Sequence, residues 1–267
     1  MKRILLILSF VLLASCCAQN RLPHNDLPGP GEEKVFTLVS YNTGNFAKYM
    51  DDSSPLAAAA LKDIKADAVA LNELDSCNTR HNVYQLKEFA AAMGGMEYAF
   101  ASAFKYAGGA YGNGVMTWEP IIRSEALTLP KGDGSEQRSV AIVETADYVI
   151  AATHLDHRSA EAQLEQARII NEWFTSAYSR SKKPVFLCGD MNALPDSDTI
   201  KKLEECWTRI SSTEFTHSTK NPVKCIDYIF FLTAAKSVTV RKAMVLNGEH
   251  MVQVSDHFPT MAEVSWR

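Results

Sequence analysis

The run FLCGDMNALPDSDTI, residues Phe186 to Ile200, decides how this chain is read. An apolar, strand-like run delivers Gly-Asp-Met-Asn straight into a turn and a helix start. In an extended chain, residues two apart project to the same side. At the end of a buried strand, Asp190 and Asn192 would therefore point into one small space. Asp and Asn also cap helices and shape turns, so this stretch alone fits a capping loop as well as a reactive site. The rest of the chain has to decide.

The chain has 267 residues, 46% of them apolar and 22% charged, the make-up of an ordinary globular protein with length for a large core. A formal charge of -4 gives no basic field for gripping a nucleic-acid backbone. Lys2 and Arg3 precede ILLILSFVLLA, too short to span a bilayer comfortably but suited to an export signal. The run ends in LASC, Leu13 to Cys16, which resembles a bacterial lipobox and implies cleavage before Cys16 and lipidation of its thiol; a plain secretory signal cut nearby is the alternative. Residues 1–15 are thus expected to be a lipoprotein-type signal peptide. Residues 16–33, rich in Pro, Gly and polar residues, read as a flexible tether, and residues 34–267 as one domain. The expected product is an exported bacterial lipoprotein, membrane-anchored on a periplasmic or cell-surface face. Export permits disulfides; Cys206 with Cys225 is the preferred pair, and Cys188 reads as a buried thiol. No CxxC pair exists, which argues against a structural zinc site.

From Lys34 onward, short strands and helices alternate. KVFTLVSYN, DAVALNEL, EYAFASAF, NGVMTW, SVAIVETA, YVIAATHLDH, PVFLCGD, CIDYIFF, SVTVRKAMVL and FPTMAEVSW read as strands. SPLAAAALKDIKA, with Ser54 as N-cap, VYQLKEFAAAMGG and SAEAQLEQARIINEWFTSAYSR read as helices. Two packed sheets flanked by helices accommodate that pattern. Polar residues fall where such strands end: Asn42, Glu73, His154, Asp190 with Asn192, Asp227, and Asp256 with His257. Acids beside apolar strands are costly to bury unless they meet a cation or a partner. Six such ends argue for one shared, oxygen-rich site, the chemistry of Mg²⁺ or Mn²⁺ rather than zinc.

The segments VSYNTGNF, ALNELD, YGNGVM, EQRSVAI, ATHLDH, CGDMNALPDS, CIDYIFF and VSDHFP occur in the order of the endonuclease/exonuclease/phosphatase superfamily. Their extensions NELDSCNTRHNVYQ and THLDHRSAEAQLEQA resemble its exported bacterial metal-dependent hydrolases. The resemblance implies a four-layer α/β/β/α sandwich of two packed mixed sheets, with the site at one end, and metal-dependent hydrolysis of a phosphate ester. It implies Glu73, Asp256 and Asn42 as metal ligands for Mg²⁺ or Mn²⁺. Asp190 and Asn192 would orient or deprotonate water. Asp227 would fix the tautomer of His257, itself a phosphoryl contact or base, and His154 would be a phosphate contact or leaving-group acid. Asn113 would contact substrate phosphate, although Asn113-Gly114 also fits a hairpin turn. Arg138 fits a phosphate clamp or a surface ion pair. Asn72 stands where Gln is usual, Gln163 where Arg is frequent, and neither is assigned a role; Asp75 and Arg80 belong to the extension as supporting residues. His217 reads as a loop residue, and His24, His81 and His250 as surface histidines.

Two rivals are weaker. HLDH, His154 to His157, lacks the first His of a metallo-β-lactamase-like zinc signature. A cell-surface binding module that keeps the fold would not need an intact acidic set. The expected substrate is a small or lipid-linked phosphate ester; nucleic acid is possible but not favoured for an acidic chain, and a monomer is expected.

Overall fold

The computed structural model describes residues 33–267. The expected signal peptide, Cys16 and residues 17–32 of the tether lie outside the described residues.

The first sheet has the order β11-β12-β1-β2-β4-β3 and the second β5-β6-β7-β8-β10-β9. The strands of the first are β1 (Lys34–Asn42), β2 (Ala68–Ser76), β3 (Glu97–Tyr106), β4 (Gly109–Thr117), β11 (Thr239–Val245) and β12 (Thr260–Trp266). Those of the second are β5 (Arg123–Leu129), β6 (Arg138–Glu144), β7 (Val149–His154), β8 (Val185–Asp190), β9 (Trp207–Arg209) and β10 (Asp227–Leu232). The helices are α1 (Ser54–Asp63), α2 (Gln85–Ala92), α3 (Ala160–Tyr178) and α4 (Asp198–Glu204). Each sheet contains one parallel pair, β1 with β2 and β7 with β8, and is otherwise antiparallel. The parallel pairs are joined through α1 and α3, because parallel strands need a crossover.

Three apolar clusters make the layers. Phe36, Leu38, Ala70, Ile150, Phe186 and Ile229 interleave between the sheets. Val39, Tyr41 and Val69, on the opposite face of the first sheet, pack with Leu61 of α1 and Phe89 of α2. Leu187 and Phe230 pack with Ile170 and Phe174 of α3 and Leu203 of α4. The expected α/β/β/α sandwich is therefore present. α3 begins where the Ser159 hydroxyl accepts the Ala162 N–H, and α4 where Ser197 accepts from Ile200, so real caps set both starts.

One alternative falls away and three expectations change. Asn113-Gly114 is no turn: both lie inside β4, and the hairpin bend falls at Ala107-Gly108. The cap of α1 is Ser53, with Ser54 in the helix. Cys206 and Cys225 are both free thiols, so the preferred bridge is not formed. β5 and β9, unmarked in the sequence reading, complete the edges of the second sheet. Cys188 is fully buried between the sheets, as expected.

Candidate active site

The two parallel pairs direct their carboxyl ends to the same end of the sandwich. In register, Asn42 lies opposite Asn72, His154 opposite Asp190, and Asp190 opposite Asp227 at the start of β10. Asp256 and His257 lie just before β12, whose Thr260 pairs with Ser40 of β1. Gly189 lets the second pair close up. Its φ is +144°, and a Cβ there would sit 1.8 Å from the Thr153 carbonyl oxygen, so only glycine fits.

Asp190 is the centre. Its Oδ2 accepts Asn42 Nδ2 at 3.0 Å and lies 3.5 Å from His154 Nε2 and 3.6 Å from His257 Nε2. Its Oδ1 accepts the Asn192 N–H at 2.8 Å. His257 Nδ1 meets Asp227 Oδ2 at 2.9 Å. Burial, reinforced by the Asp227 carboxylate, pushes Asp190 up to about 7. Burial works against a charged His257, yet the Asp227 and Asp190 carboxylates outweigh it and raise the ring to about 10. His154 goes the other way: burial, then the cations Arg138 and His257, hold it well below the usual imidazole range. The site thus holds a basic carboxylate, a cationic imidazole and a neutral one.

Glu73 is set by backbone geometry as much as by sequence. The β2–β4 register shifts between Leu71 and Leu74, and Glu73 in that bulge takes φ 58°. Such a conformation costs on the order of 1 kcal/mol for a residue with a Cβ. Thr43 Oγ1 and Asn45 Nδ2 both donate to the Glu73 carbonyl at 3.0 and 2.9 Å and hold it there. Asn192 has φ 48°, which Asn tolerates. Its carbonyl and that of Asp156 accept Gln163 Nε2, so Gln163 braces the loop.

Two of the acids act on one cation already present, a lysine ammonium. Asp256 Oδ2 already draws the Lys48 ammonium to 2.6 Å, and Glu73 acts on the same ammonium. Lys48 is half exposed, free to yield to a better-charged partner. Glu73 and Asp256 supply carboxylate oxygens of the type Mg²⁺ and Mn²⁺ prefer. Asn42 bridges in the orientation found: its nitrogen faces Glu73 (3.2 Å) and Asp190, while its oxygen accepts the Gly44 N–H. Among the described residues, the side-chain groups spaced to hold a metal are His217 with Asp256 and His257, and Asp190 with Asp227 and His257. Neither includes Glu73, so of the expected carboxylate ligands only Asp256 falls in such a group, and neither includes His154 or His157 of the zinc signature.

Asn113 sits behind the site. Its Nδ2 donates to the Ser139 carbonyl at 2.9 Å and its Oδ1 accepts from Asn72 Nδ2. Arg138 is 2% exposed, lines the cleft, touches His157 at 2.8 Å and pairs with the half-exposed Glu136 at 3.5 Å, while its Nε has no partner among the described residues, so an ion pair and room for an anion coexist. Asn72, left without a role above, donates to Asn113 and to the Thr153 carbonyl, each at 2.9 Å, and accepts the Asp190 N–H at 3.0 Å. It joins the first sheet to β7 and β8 of the second. We predict that Asn72→Ala lowers stability by about 3 kcal/mol, because it strands buried polar groups. Urea unfolding checks this, and a change under about 1 kcal/mol would show the groups find other partners.

Other contributors carry no sequence signal. His217 packs its ring 4.7 Å from that of His257, and Thr216 Oγ1 accepts from Ile226 and Asp227 N–H. His81 is no free surface histidine, since its Nδ1 lies 2.6 Å from buried Asp75. Arg80 grips the same carboxylate through Nε and Nη2, both at 2.8 Å.

A family model described as the Endonuclease/Exonuclease/phosphatase family matches residues 39–257. No curated protein matches the chain significantly. Among solved structures, an endonuclease/exonuclease/phosphatase family protein from Bacteroides thetaiotaomicron superposes with TM-score 0.72 at 18% identity, covering 88% of this chain and 99% of its own. The mannosyl-6-phosphatase Bt3783 of Bacteroides thetaiotaomicron gives TM-score 0.71 at 18% identity, covering 86% and 100%. D. rerio TDP2, complexed with a single-strand DNA product, gives TM-score 0.66 at 17% identity, covering 86% and 98%. At these identities the likeness is one of fold.

Proposed function

We propose that this chain, which belongs to the endonuclease/exonuclease/phosphatase family, is a divalent-metal-dependent hydrolase of small phosphate esters. The observation that carries the reading is Asp190, 1% exposed and ringed by Asn42, His154, His257 and Asn192. A carboxylate so placed is more basic than one in water, as proton abstraction from water near neutral pH requires.

Phosphate esters resist attack because their oxygens repel nucleophiles. Glu73 and Asp256, with Asn42 beside them, would hold Mg²⁺ or Mn²⁺, which when bound supplies Lewis-acid neutralisation of phosphoryl charge. Asp190 takes the proton of the attacking water, oriented with help from Asn192. His257, kept cationic by Asp227, faces the phosphoryl oxygens and is not the base. His154, neutral in the resting site, hydrogen-bonds the ester, and Arg138 pairs with phosphate from the cleft wall. That division of roles follows from carboxylates that raise one imidazole and burial that lowers the other.

The test is a panel: purified protein with Mg²⁺ or Mn²⁺ against p-nitrophenyl phosphate, bis-p-nitrophenyl phosphate and plasmid DNA. Turnover of the small esters well above DNA is expected. Efficient DNA cleavage with no small-ester turnover would replace this reading with a nuclease.

The chain is further proposed to be exported and held at a membrane by a lipid on Cys16. Among the described residues no helix is long and apolar enough to cross a membrane, and a lipid would supply the attachment. Cys16→Ser is expected to move the protein from the membrane to the soluble fraction; unaltered retention would contradict the anchor.

A further inference from the structure

Beyond Glu73 and His154 the site opens into a cleft of about 340 Å³, room for a small leaving group. We propose that this cleft is the leaving-group subsite and that it selects a polyhydroxylated group, so that the substrate is a sugar or polyol phosphate; this rests on the hydrolase reading above.

The cleft wall is the β3–β4 hairpin, contributing Phe104, Tyr106 and Tyr111, with Arg80 against it and Glu136 and His157 nearby. Gly112 locks the hairpin tight, since a Cβ there would lie 2.0 Å from the Ala101 carbonyl oxygen. Arg80 stacks on Tyr106 at 4.7 Å and Tyr111 at 5.9 Å from the ring centres. Its Nε and Nη2 are fixed to Asp75, which leaves Nη1 outside that pairing. Phe104 lies edge-on to Tyr106 and tilted against Tyr111. The three rings and the guanidinium thus brace one another within the wall.

Three classes of leaving group compete. A lipid tail needs an apolar lining, and Phe104 is the one hydrocarbon side chain here. A nucleobase stacks on an open ring, and Arg80 takes one face of Tyr106 and lies 5.9 Å from the Tyr111 ring centre, so the wall offers a base less ring than it offers a sugar polar partners. Sugar hydroxyls both donate and accept, so they need both partners within reach. The Glu136 carboxylate accepts, the guanidinium donates, and the tyrosine hydroxyls do either. Burial, with the Glu73 charge adding to it, keeps the Tyr111 hydroxyl protonated. Arg138, buried with an unpartnered Nε on the same cleft, leaves a place for the ester's anionic end.

The test is steady-state kinetics of the metal-loaded protein on glucose 6-phosphate, thymidine 5′-phosphate and p-nitrophenyl phosphate, with Tyr106→Ala and Arg80→Lys beside the wild type. Tyr106 is partly exposed, so its loss should not unfold the chain. The expected result is kcat/KM for the sugar phosphate about 10-fold above the other two esters, and a KM for it about 10-fold higher in each variant, the scale of one lost hydrogen-bonding wall residue. Turnover of p-nitrophenyl phosphate, whose leaving group meets the same wall but brings no hydroxyl to it, should fall much less than that of the sugar phosphate in both variants. Equal or better use of thymidine 5′-phosphate, or variants that depress every ester alike or none, would overturn the subsite while leaving the hydrolase reading intact. No turnover of any ester would overturn the hydrolase reading itself.

Discussion

Asp190→Asn is expected to cut metal-saturated turnover by about 10² to 10⁴-fold, the usual loss when a general base is removed. The change is nearly isosteric. It deletes one negative charge and the acceptor that would take the proton of water. Stability should fall only modestly, because the lost charge is disfavoured by burial and by Asp227, and the single Asn oxygen can still accept the Asn192 N–H, with only the bond from Asn42 Nδ2 given up. As a helix cap, Asn would serve as well as Asp, and the helix that follows is capped by Ser197 in any case. Melting temperature and turnover must therefore be read on the same preparation. Turnover preserved per folded molecule would reduce the Gly-Asp-Met-Asn loop to a structural turn and hand the base role to another group.

Much of this site was legible because burying charge is costly. Glu73, Asp190, Asp227 and Asp256 stand out in the sequence as acids set against apolar strands, and the structure gathers them at one end of the sandwich. Gly189 carried no sequence reading of its own, and only the 1.8 Å approach to Thr153 shows why no other residue fits before Asp190. The residues that escaped notice are ordinary surface types whose roles come from contacts far along the chain. Lys48 matters because it reaches Asp256, and His217 because β10 and β12 bring it to His257. Asn72 looked like a shortened Gln, but its length is right for joining Asn113, Thr153 and Asp190 at once. Asn-Gly at 113–114 left a turn open as the lesser reading beside a site residue, since it is a strong hairpin signal; pairing of β4 on both sides excludes the turn. β5 escaped as an exposed edge with no clean alternation, and β9 as only three residues. The Cys206–Cys225 pairing failed because nearness in sequence does not aim two Cβ vectors at each other.

Glu73→Gln should remove nearly all hydrolysis without unfolding the protein. The substitution keeps the side chain's volume and the backbone bonds from Thr43 and Asn45, and withdraws only the charge. A hard dication loses far more from a missing carboxylate than from a small displacement. Cation binding, measured calorimetrically, should weaken at least about 10-fold, equivalent to roughly 1.4 kcal/mol. Binding unchanged from wild type would place the cation elsewhere.

The most direct test of the central claim is release of p-nitrophenol from p-nitrophenyl phosphate by wild-type protein dialysed against EDTA and then titrated with Mg²⁺ or Mn²⁺. The account predicts no release in EDTA, a saturable return of activity on titration, and little or none in Glu73→Gln. Full activity in EDTA, or a Glu73→Gln protein restored at the wild-type rate and the wild-type cation concentration, would contradict it.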